Sequence, residues 1–324
     1  MELDTNCELE MKHRSGADIS VCLLTYNYAH IVESTIRSIL DQSASYFELI
    51  ISDDCSTDGT WETVKEIAAA DPRIRTIQTP QNLGMPGNAN HAVAHSQRPY
   101  IALLHHDDIY RSDLLEKWAG VLDRHPDAAF VFNPYKVFGS GLVQEEDMPG
   151  ELIDGRWLLN TFLLPHWGCP IRGTAMIRRS AWLEVGGMRE QFNLIADVDL
   201  WMRLAMRWNV GYVSEAVISV RCQRPADYPE TYSEMYWSWT RQRYLYNIHA
   251  ANRLEYLKLD SFTGRMQWWR FRCRLSSETL KWLGYGVVRR KRYVIASSGE
   301  SITPYELWPV RALRWSLRLL YGCK

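Results

Sequence analysis

Three short acidic clusters in this 324-residue sequence, Asp53-Asp54, Asp107-Asp108 and Asp197/Asp199, stand where side chains could do chemistry. The first two each close a short apolar run, and the third opens a segment of helical periodicity. Paired carboxylates at a strand end are the oxygen ligands that Mg²⁺ and Mn²⁺ prefer, often completed by a substrate's phosphates. A cation held at Asp107 and Asp108 would offset the charge that develops on a departing diphosphate. A carboxylate such as Asp53 or Asp54 can instead accept hydrogen bonds from a nucleobase N–H or a ribose hydroxyl. Asp197 and Asp199 suit another task. An aspartate is ionised at neutral pH, so it can take a proton from a hydroxyl as that hydroxyl attacks. Each cluster also has a plainer reading. Acids cap strands, Ser56, Thr57 or Asp58 can cap a helix, and the macrodipole favours acids at a helix N-terminus. His105 and His106 precede Asp107, but adjacent side chains on a strand point to opposite faces, which disfavours a zinc site built on both.

These groups need elements to hold them. Ile19 to Leu24, Phe47 to Ile51, Tyr100 to Leu104 and Ala128 to Phe132 are apolar without alternation, the pattern of strands buried on both faces. Helical spacing links Ile31, Val32, Thr35, Ile36, Ile39 and Leu40, and again Leu114, Leu115, Trp118, Val121 and Leu122. A further helical segment starts at Asp58-Gly59 and ends before Asp71-Pro72. Ile74 to Thr79 reads as a short strand, Pro80 to Asn90 as a Gly/Asn/Pro-rich loop, Asp197 to Trp208 as a helix, and Val210 to Val220 as a strand or hairpin. The alternation predicts an α/β domain with a mostly parallel sheet covered by helices. Ligands of such sheets bind beyond the carboxyl ends of the strands. Thr25-Tyr26-Asn27, Asp53-Asp54 and Asp107-Asp108 would then share one rim.

Several classes of function lose their support. The loop from Gln81 to Asn90 lacks the Gly-Lys-Ser/Thr ending of a P-loop, and no GxGxxG follows the first strand. A sugar-nucleotide nucleotidyltransferase would want a Gly-rich basic loop there, and Thr25-Tyr26-Asn27-Tyr28 offers none. The seven cysteines form no CxxC pair, which argues against a disulfide framework or a cysteine-rich zinc site and fits a reducing cytoplasm. Residues 1–18 are polar and charged, without the apolar core of a signal peptide, and no run approaches a spanning helix.

The motifs taken in order resemble family 2 glycosyltransferases. Ser20 to Asn27, then Ile50 to Thr60 with its Ser-Asp-Asp-Cys-Ser-Thr-Asp-Gly core, is similar to the family's opening. Asn82-Leu83-Gly84 with Asn88 and Asn90 looks like its next loop, and Leu103 to Asp108 like its DxD-type metal segment. Gly173 to Arg179, Gly186-Gly187 and Ala196 to Trp201 resemble its acceptor half. The resemblance implies a GT-A fold, a nucleotide-diphospho-sugar donor (UDP- or dTDP-linked), a divalent cation (Mn²⁺ or Mg²⁺), and inversion by one in-line displacement. Thr25, Tyr26 and Asp54 match nucleoside-binding positions, with Asp53 beside them. Asp107 and Asp108 match the acids that hold ribose and metal, Asp197 matches the catalytic base, and Arg221 is placed to reach the diphosphate. Four positions depart from the pattern. His105 stands for the first Asp of DxD, Ala89 for an Arg of the nucleoside loop, Ala196 for a Glu, and Gln223 or Arg224 for a His. A non-catalytic scaffold keeping this fold would not need Asp54, Asp107, Asp108 and Asp197 together.

The expected organisation is a polar extension at 1–18, a catalytic domain at 19–224 (donor half to about 110, acceptor half 111–224), and a helical, basic, aromatic region at 225–324. From Arg241 onward there are 17 Lys+Arg against 5 Asp+Glu, although the whole chain carries only −1. Arg289-Arg290-Lys291-Arg292 is one cluster. Arg311, Arg314 and Arg318 share a helical face opposite Val310, Leu313, Leu317 and Leu320, flanked by Trp308 and Trp315. That pattern suits a helix lying on an anionic membrane surface, or equally a lid packed on the catalytic domain. No nucleic-acid-binding motif accompanies the charge. The acceptor expected is a saccharide, free or lipid-linked, and the location the cytoplasm, peripheral on the inner face of the membrane.

Overall fold

The computed structural model describes residues 19–44, 47–165, 171–221 and 239–288, together with 307–310, 312, 313 and 316. Residues 1–18, Gln223, Arg224, the Arg289 to Arg292 cluster, and Arg311, Arg314, Trp315, Leu317, Arg318 and Leu320 lie outside the described residues. The chain divides into two compact units, residues 1–163 with 169–223, and residues 164–168 with 224–324.

The first unit is organised around strand β1 (Ile19–Thr25), buried at every position. β1 runs parallel to β2 (Phe47–Asp53) on one side and to β4 (Tyr100–His105) on the other. β3 (Ile74–Gln78) extends the parallel set beyond β2. The sheet continues past β4 with β10 (Ala175–Arg178), β6 (Ala128–Phe132), β11 (Asn209–Tyr212) and β9 (Leu152–Ile153). β10 is antiparallel to both β4 and β6, so the sheet is mostly rather than wholly parallel. This is the mixed α/β, GT-A-type architecture. A smaller sheet orders β5 (Ile109–Tyr110), β12 (Ile218–Val220), β7 (Tyr135–Val137) and β8 (Val143–Gln144). Residues 210–220 therefore form no hairpin. β11 already has β6 and β9 as neighbours, which leaves no edge for β12, and β12 pairs instead with β5 and β7.

Helices α1 (Val32–Leu40), α2 (Thr60–Ala70), α3 (Gly84–Ala94) and α4 (Leu114–Arg124) connect these strands. α1 buries Val32, Thr35, Ile36 and Ile39, spaced for one face. Each of its fully buried aliphatic side chains contributes about 1.5–3 kcal/mol of hydrophobic stabilisation. α3 replaces much of the loop expected at Pro80–Asn90. Its composition misleads because Gly84 turns into the helix at φ 72° and Pro86 falls in the first turn, where a missing N–H costs no helical bond. Later in this unit come α5 (Arg179–Val185) and α6 (Ala196–Ala205). Asn90 of α3 exchanges two hydrogen bonds with the backbone of Met188, its amide donating to the carbonyl at 2.8 Å and its oxygen accepting from the N–H at 2.9 Å. α3 is thereby fastened to the turn that leads toward α6.

In the second unit, α7 (Trp239–Tyr256) and α8 (Phe262–Val288) carry a buried polar group, His249, Asn252 and Arg253, beside buried Phe271 and Leu275. Arg253 donates to His249 Nδ1 at 2.8 Å and to Asn252 Oδ1 at 3.2 Å. Val310 is buried whereas Trp308 and Leu313 are exposed. Among the described residues no helix is long and apolar enough to cross a membrane.

Candidate active site

The register of the parallel strands sets the rim. Thr25 pairs with Asp53 across β1 and β2, and Leu24 with His105 across β1 and β4. The three carboxyl ends therefore finish level, and the loops that leave them are stitched together. Ser56 Oγ accepts from the Asn27 N–H (2.9 Å), Asn27 Oδ1 from the Thr57 N–H (2.8 Å), and Thr60 Oγ1 from the Tyr28 N–H (2.8 Å). Asn27 adopts φ 52°, a left-handed turn that asparagine tolerates. Asp58 joins in by accepting from the Ala29 N–H at 3.1 Å and the Thr60 N–H at 3.0 Å.

The two acids ending β2 differ. Asp53 is fully buried and accepts four hydrogen bonds, from Thr25 Oγ1, Ser56 N–H, Ser56 Oγ and Gln78 Nε2. Its lone pairs are engaged by the protein, so it holds the rim together. Asp54 Oδ1 accepts from Thr79 Oγ1 (2.9 Å) and from the Leu83 N–H (2.8 Å), which fixes the carboxylate against the entry to α3. Burial pushes the Asp54 pKa up despite these bonds. Asn88 of α3 donates to the Ser52 carbonyl at 3.0 Å, while its own buried Oδ1 has no partner. Tyr26 lies half-buried just past β1.

The turn after β4 is held from beneath. Thr35 Oγ1 of α1 reaches the carbonyls of His106 (2.8 Å) and Asp108 (2.9 Å). Tyr110 of β5 accepts from the His105 N–H at 2.9 Å and donates to its carbonyl at 2.8 Å. The two histidines separate as expected for a strand. His106 turns to the Leu24 carbonyl (2.9 Å) and packs on the Tyr28 ring, centroids 4.0 Å apart. His105 instead faces the acids. A ring nitrogen of His105 and carboxylate oxygens of Asp107 and Asp108 all lie within 4.8 Å of one another. The sequence rests the cation on the two aspartates alone; His105 joins them because the chain turns directly after β4 and folds Asp107 and Asp108 back beside its ring, which spacing along a strand does not show. Asp108 is fully buried, its Oδ1 accepts from the Arg221 N–H at 3.3 Å, and its Oδ2 has no partner. His105 Nε2 is likewise buried without a hydrogen bond. Desolvation, with the charge of Asp107 added, pushes the Asp108 pKa up, and desolvation pulls that of His105 down. Orphaned acceptors of this kind fit a cation. Arg172 and Arg221 both bear electrostatically on Asp108, and the Arg221 guanidinium sits 4.3 Å from the centroid of Phe138.

Residues 173–199 reach this cluster through β10. The pairing of Ala175 with Leu103 brings Gly173 opposite His105. A β-carbon on Gly173 would stand 2.8 Å from His105 Nε2 and 3.1 Å from Asp197 Oδ2, so this position has no room for a side chain and borders both groups. Asp197 is buried in the first turn of α6, and its Oδ1 accepts from the Val198 N–H at 2.8 Å. Asp199, the second acid of that helix, is fully buried and bound to Arg189 and Arg203, with Arg189 Nε and Arg203 Nε each 2.8 Å from Oδ2. Arg203 also donates to the carbonyls of Val185 and Gly187. Asp199 is thus a structural hub, whereas Asp197 borders the cluster of His105, Asp107 and Asp108.

A mostly parallel α/β sheet that carries Asp54, Asp107 and Asp108 beyond its strand ends is the architecture of GT-A glycosyltransferases. The sequence model of Glycosyl transferase family 2 matches residues 20–186, more than half of the chain, and the protein belongs to that family. Similar proteins include EpsE of Bacillus subtilis (strain 168), described as a glycosyltransferase, 32% identical over 64% of this chain and 74% of its own length. TuaG of the same organism, described as a glycosyltransferase of teichuronic acid biosynthesis, is 32% identical over 60% of this chain and 74% of its own length. Among solved structures, residues 1–349 of Staphylococcus aureus TarS in complex with UDP-GlcNAc superpose with a TM-score of 0.63 at 19% identity, covering 91% of this chain and 83% of that one. The mannosyltransferase PcManGT of Pyrobaculum calidifontis, in complex with GDP-Man and Mn²⁺, gives a TM-score of 0.53 at 15% identity over 95% of this chain and 88% of that one. At those identities the structures attest the fold.

The contrast between the two acids of α6 is testable by stability. Asp199→Ala leaves Arg189 and Arg203 without their buried carboxylate and is expected to lower the unfolding free energy by about 3–5 kcal/mol in a urea titration. A loss below about 1 kcal/mol would remove Asp199 from this structural role.

Proposed function

We propose that this chain is an inverting, metal-dependent glycosyltransferase that moves a sugar from a UDP- or dTDP-linked donor to a saccharide acceptor, lipid-linked, in cell-surface polysaccharide assembly. The observation that carries the reading is the meeting of Asp197 with the His105, Asp107 and Asp108 cluster at Gly173. It supports a reading in which Asp197 acts as general base beside a bound cation. The names of TuaG and of the UDP-GlcNAc complex of TarS support a nucleotide-sugar donor and a polysaccharide product.

In this reading the nucleoside lies against Thr25, Tyr26 and Asp54, on a rim that Asp53 holds together. Asp107 and Asp108 would hold Mn²⁺ or Mg²⁺, which when bound supplies positive charge against the diphosphate. Arg172 and Arg221 add positive charge near Asp108. Asp197 receives the proton of the acceptor hydroxyl. The bond from that oxygen to the anomeric carbon forms as the bond to the donor phosphate breaks, and the electron pair leaves with the nucleoside diphosphate. One displacement inverts the anomeric centre and needs no covalent nucleophile. Arg289-Arg290-Lys291-Arg292 and the aromatic tail would dock the enzyme on an anionic cytoplasmic membrane surface, where a lipid-linked acceptor resides.

Two measurements test the chemistry. Asp197→Asn should lower kcat about 10²–10⁴-fold with donor KM nearly unchanged, because the group faces the acceptor. A near-normal kcat would move the base elsewhere. Asp108→Ala should abolish metal-dependent donor binding in calorimetry, and full transfer in excess EDTA would remove the metal from the mechanism. A third measurement tests the tail. The protein should sediment with vesicles containing anionic lipid, less so as salt rises, and replacement of Arg289, Arg290, Lys291 and Arg292 by Gln should release it. Indifference to such vesicles at low salt would make the tail a lid or a protein-docking surface.

A further inference from the structure

His105 enters the cluster with more than proximity. Its backbone is clamped on both sides by the buried Tyr110 hydroxyl, which accepts from its N–H and donates to its carbonyl. Its ring abuts Gly173, the position at which no side chain fits. The backbone is thus fixed by Tyr110, and the ring has close packing on the Gly173 side. One ring nitrogen shares a 4.8 Å neighbourhood with carboxylate oxygens of Asp107 and Asp108. Two of the buried atoms in this group, His105 Nε2 and Asp108 Oδ2, have no hydrogen-bond partner. Buried polar atoms are rarely left so unless something else completes them.

We propose that His105 is itself a ligand of the cation, so that the site is a mixed nitrogen–oxygen set that prefers a first-row transition ion such as Mn²⁺ to Mg²⁺. This rests on the metal-dependent reading above and goes beyond it. Mg²⁺ demands oxygen ligands and keeps much of its water, whereas an imidazole nitrogen stabilises transition ions. His106 does not enlarge the set, because its Nδ1 is engaged with the Leu24 carbonyl and its ring is packed on Tyr28. With one imidazole and two carboxylates, the set differs from the two-histidine arrangement that the His105-His106 pair suggested.

The test uses the full chain and Mn²⁺ as the probe, alone and with UDP. Protein labelled with ¹⁵N-histidine is examined by pulsed electron paramagnetic resonance. One labelled imidazole nitrogen should couple to bound Mn²⁺, and the coupling should vanish in His105→Asp and His105→Gln. In metal titrations His105→Asp should weaken Mn²⁺ binding about tenfold or more, while Mg²⁺ binding holds or improves, so the preference shifts toward Mg²⁺. Mn²⁺ bound without histidine coupling, or coupling that survives both variants, overturns the assignment and leaves the glycosyl-transfer reading standing. Failure of either ion to bind, with UDP or without, overturns this proposal and the metal-dependent reading together. Were one variant not to fold, the wild-type spectrum and the other variant still decide.

Discussion

The parallel register of β2, β1 and β4 is the constraint on which the site depends. These strands are apolar on both faces, and β1 is buried at every residue. A slip of one residue would draw a carboxylate such as Asp53 into the apolar layer, at a cost of several kcal/mol. The register is therefore pinned by burial, and it delivers Thr25, Asp53 and His105 to the same height. Everything the rim does follows from that alignment. Loops from neighbouring strands are close enough to exchange hydrogen bonds.

The acids then divide by how the protein treats them. Asp53 and Asp199 are saturated by protein donors, four hydrogen bonds for one and two arginines for the other. They hold structure. Asp108 is as deeply buried as either, yet one of its oxygens has no partner and its pKa is pushed up. The Arg221 N–H and the charges of Arg172 and Arg221 offset only part of that desolvation. Asp197 comes from a different half of the fold and reaches the same place because β10 inserts antiparallel beside β4 and brings Gly173 against His105. Chemistry between donor and acceptor needs such a junction.

Much of this was legible in the sequence, for physical reasons. Continuous apolar runs announced the buried strands, and the acids that end them announced the rim. Asp54, Asp107, Asp108 and Asp197 could be singled out because polar groups at strand ends and helix starts break a strong hydrophobic pattern. Three features were not legible. Gly84, Pro86 and two asparagines disguised α3 as a loop, although glycine and proline are tolerated at a helix's first turn. β10 is short and its direction is set by its neighbours, so no local pattern showed that it runs against β4. The different fates of Asp53 and Asp54, or of Asp197 and Asp199, depend on partners as distant as Gln78 and Arg189, which spacing along the chain does not reveal. His105 falls between these cases. Its separation from Asp107 by one residue was visible, but the missing hydrogen-bond partner of its Nε2 was not.

The central claim is that this rim binds a nucleoside-diphospho-sugar and releases the nucleoside diphosphate from it. The most direct measurement is to present the purified chain with a panel of nucleotide sugars, with and without Mn²⁺, and to follow thermal stabilisation together with release of free nucleoside diphosphate. The account predicts that at least one donor raises the melting temperature in a Mn²⁺-dependent manner and is slowly hydrolysed in the absence of acceptor. A folded protein that is stabilised by none of the donors and releases diphosphate from none of them would contradict it.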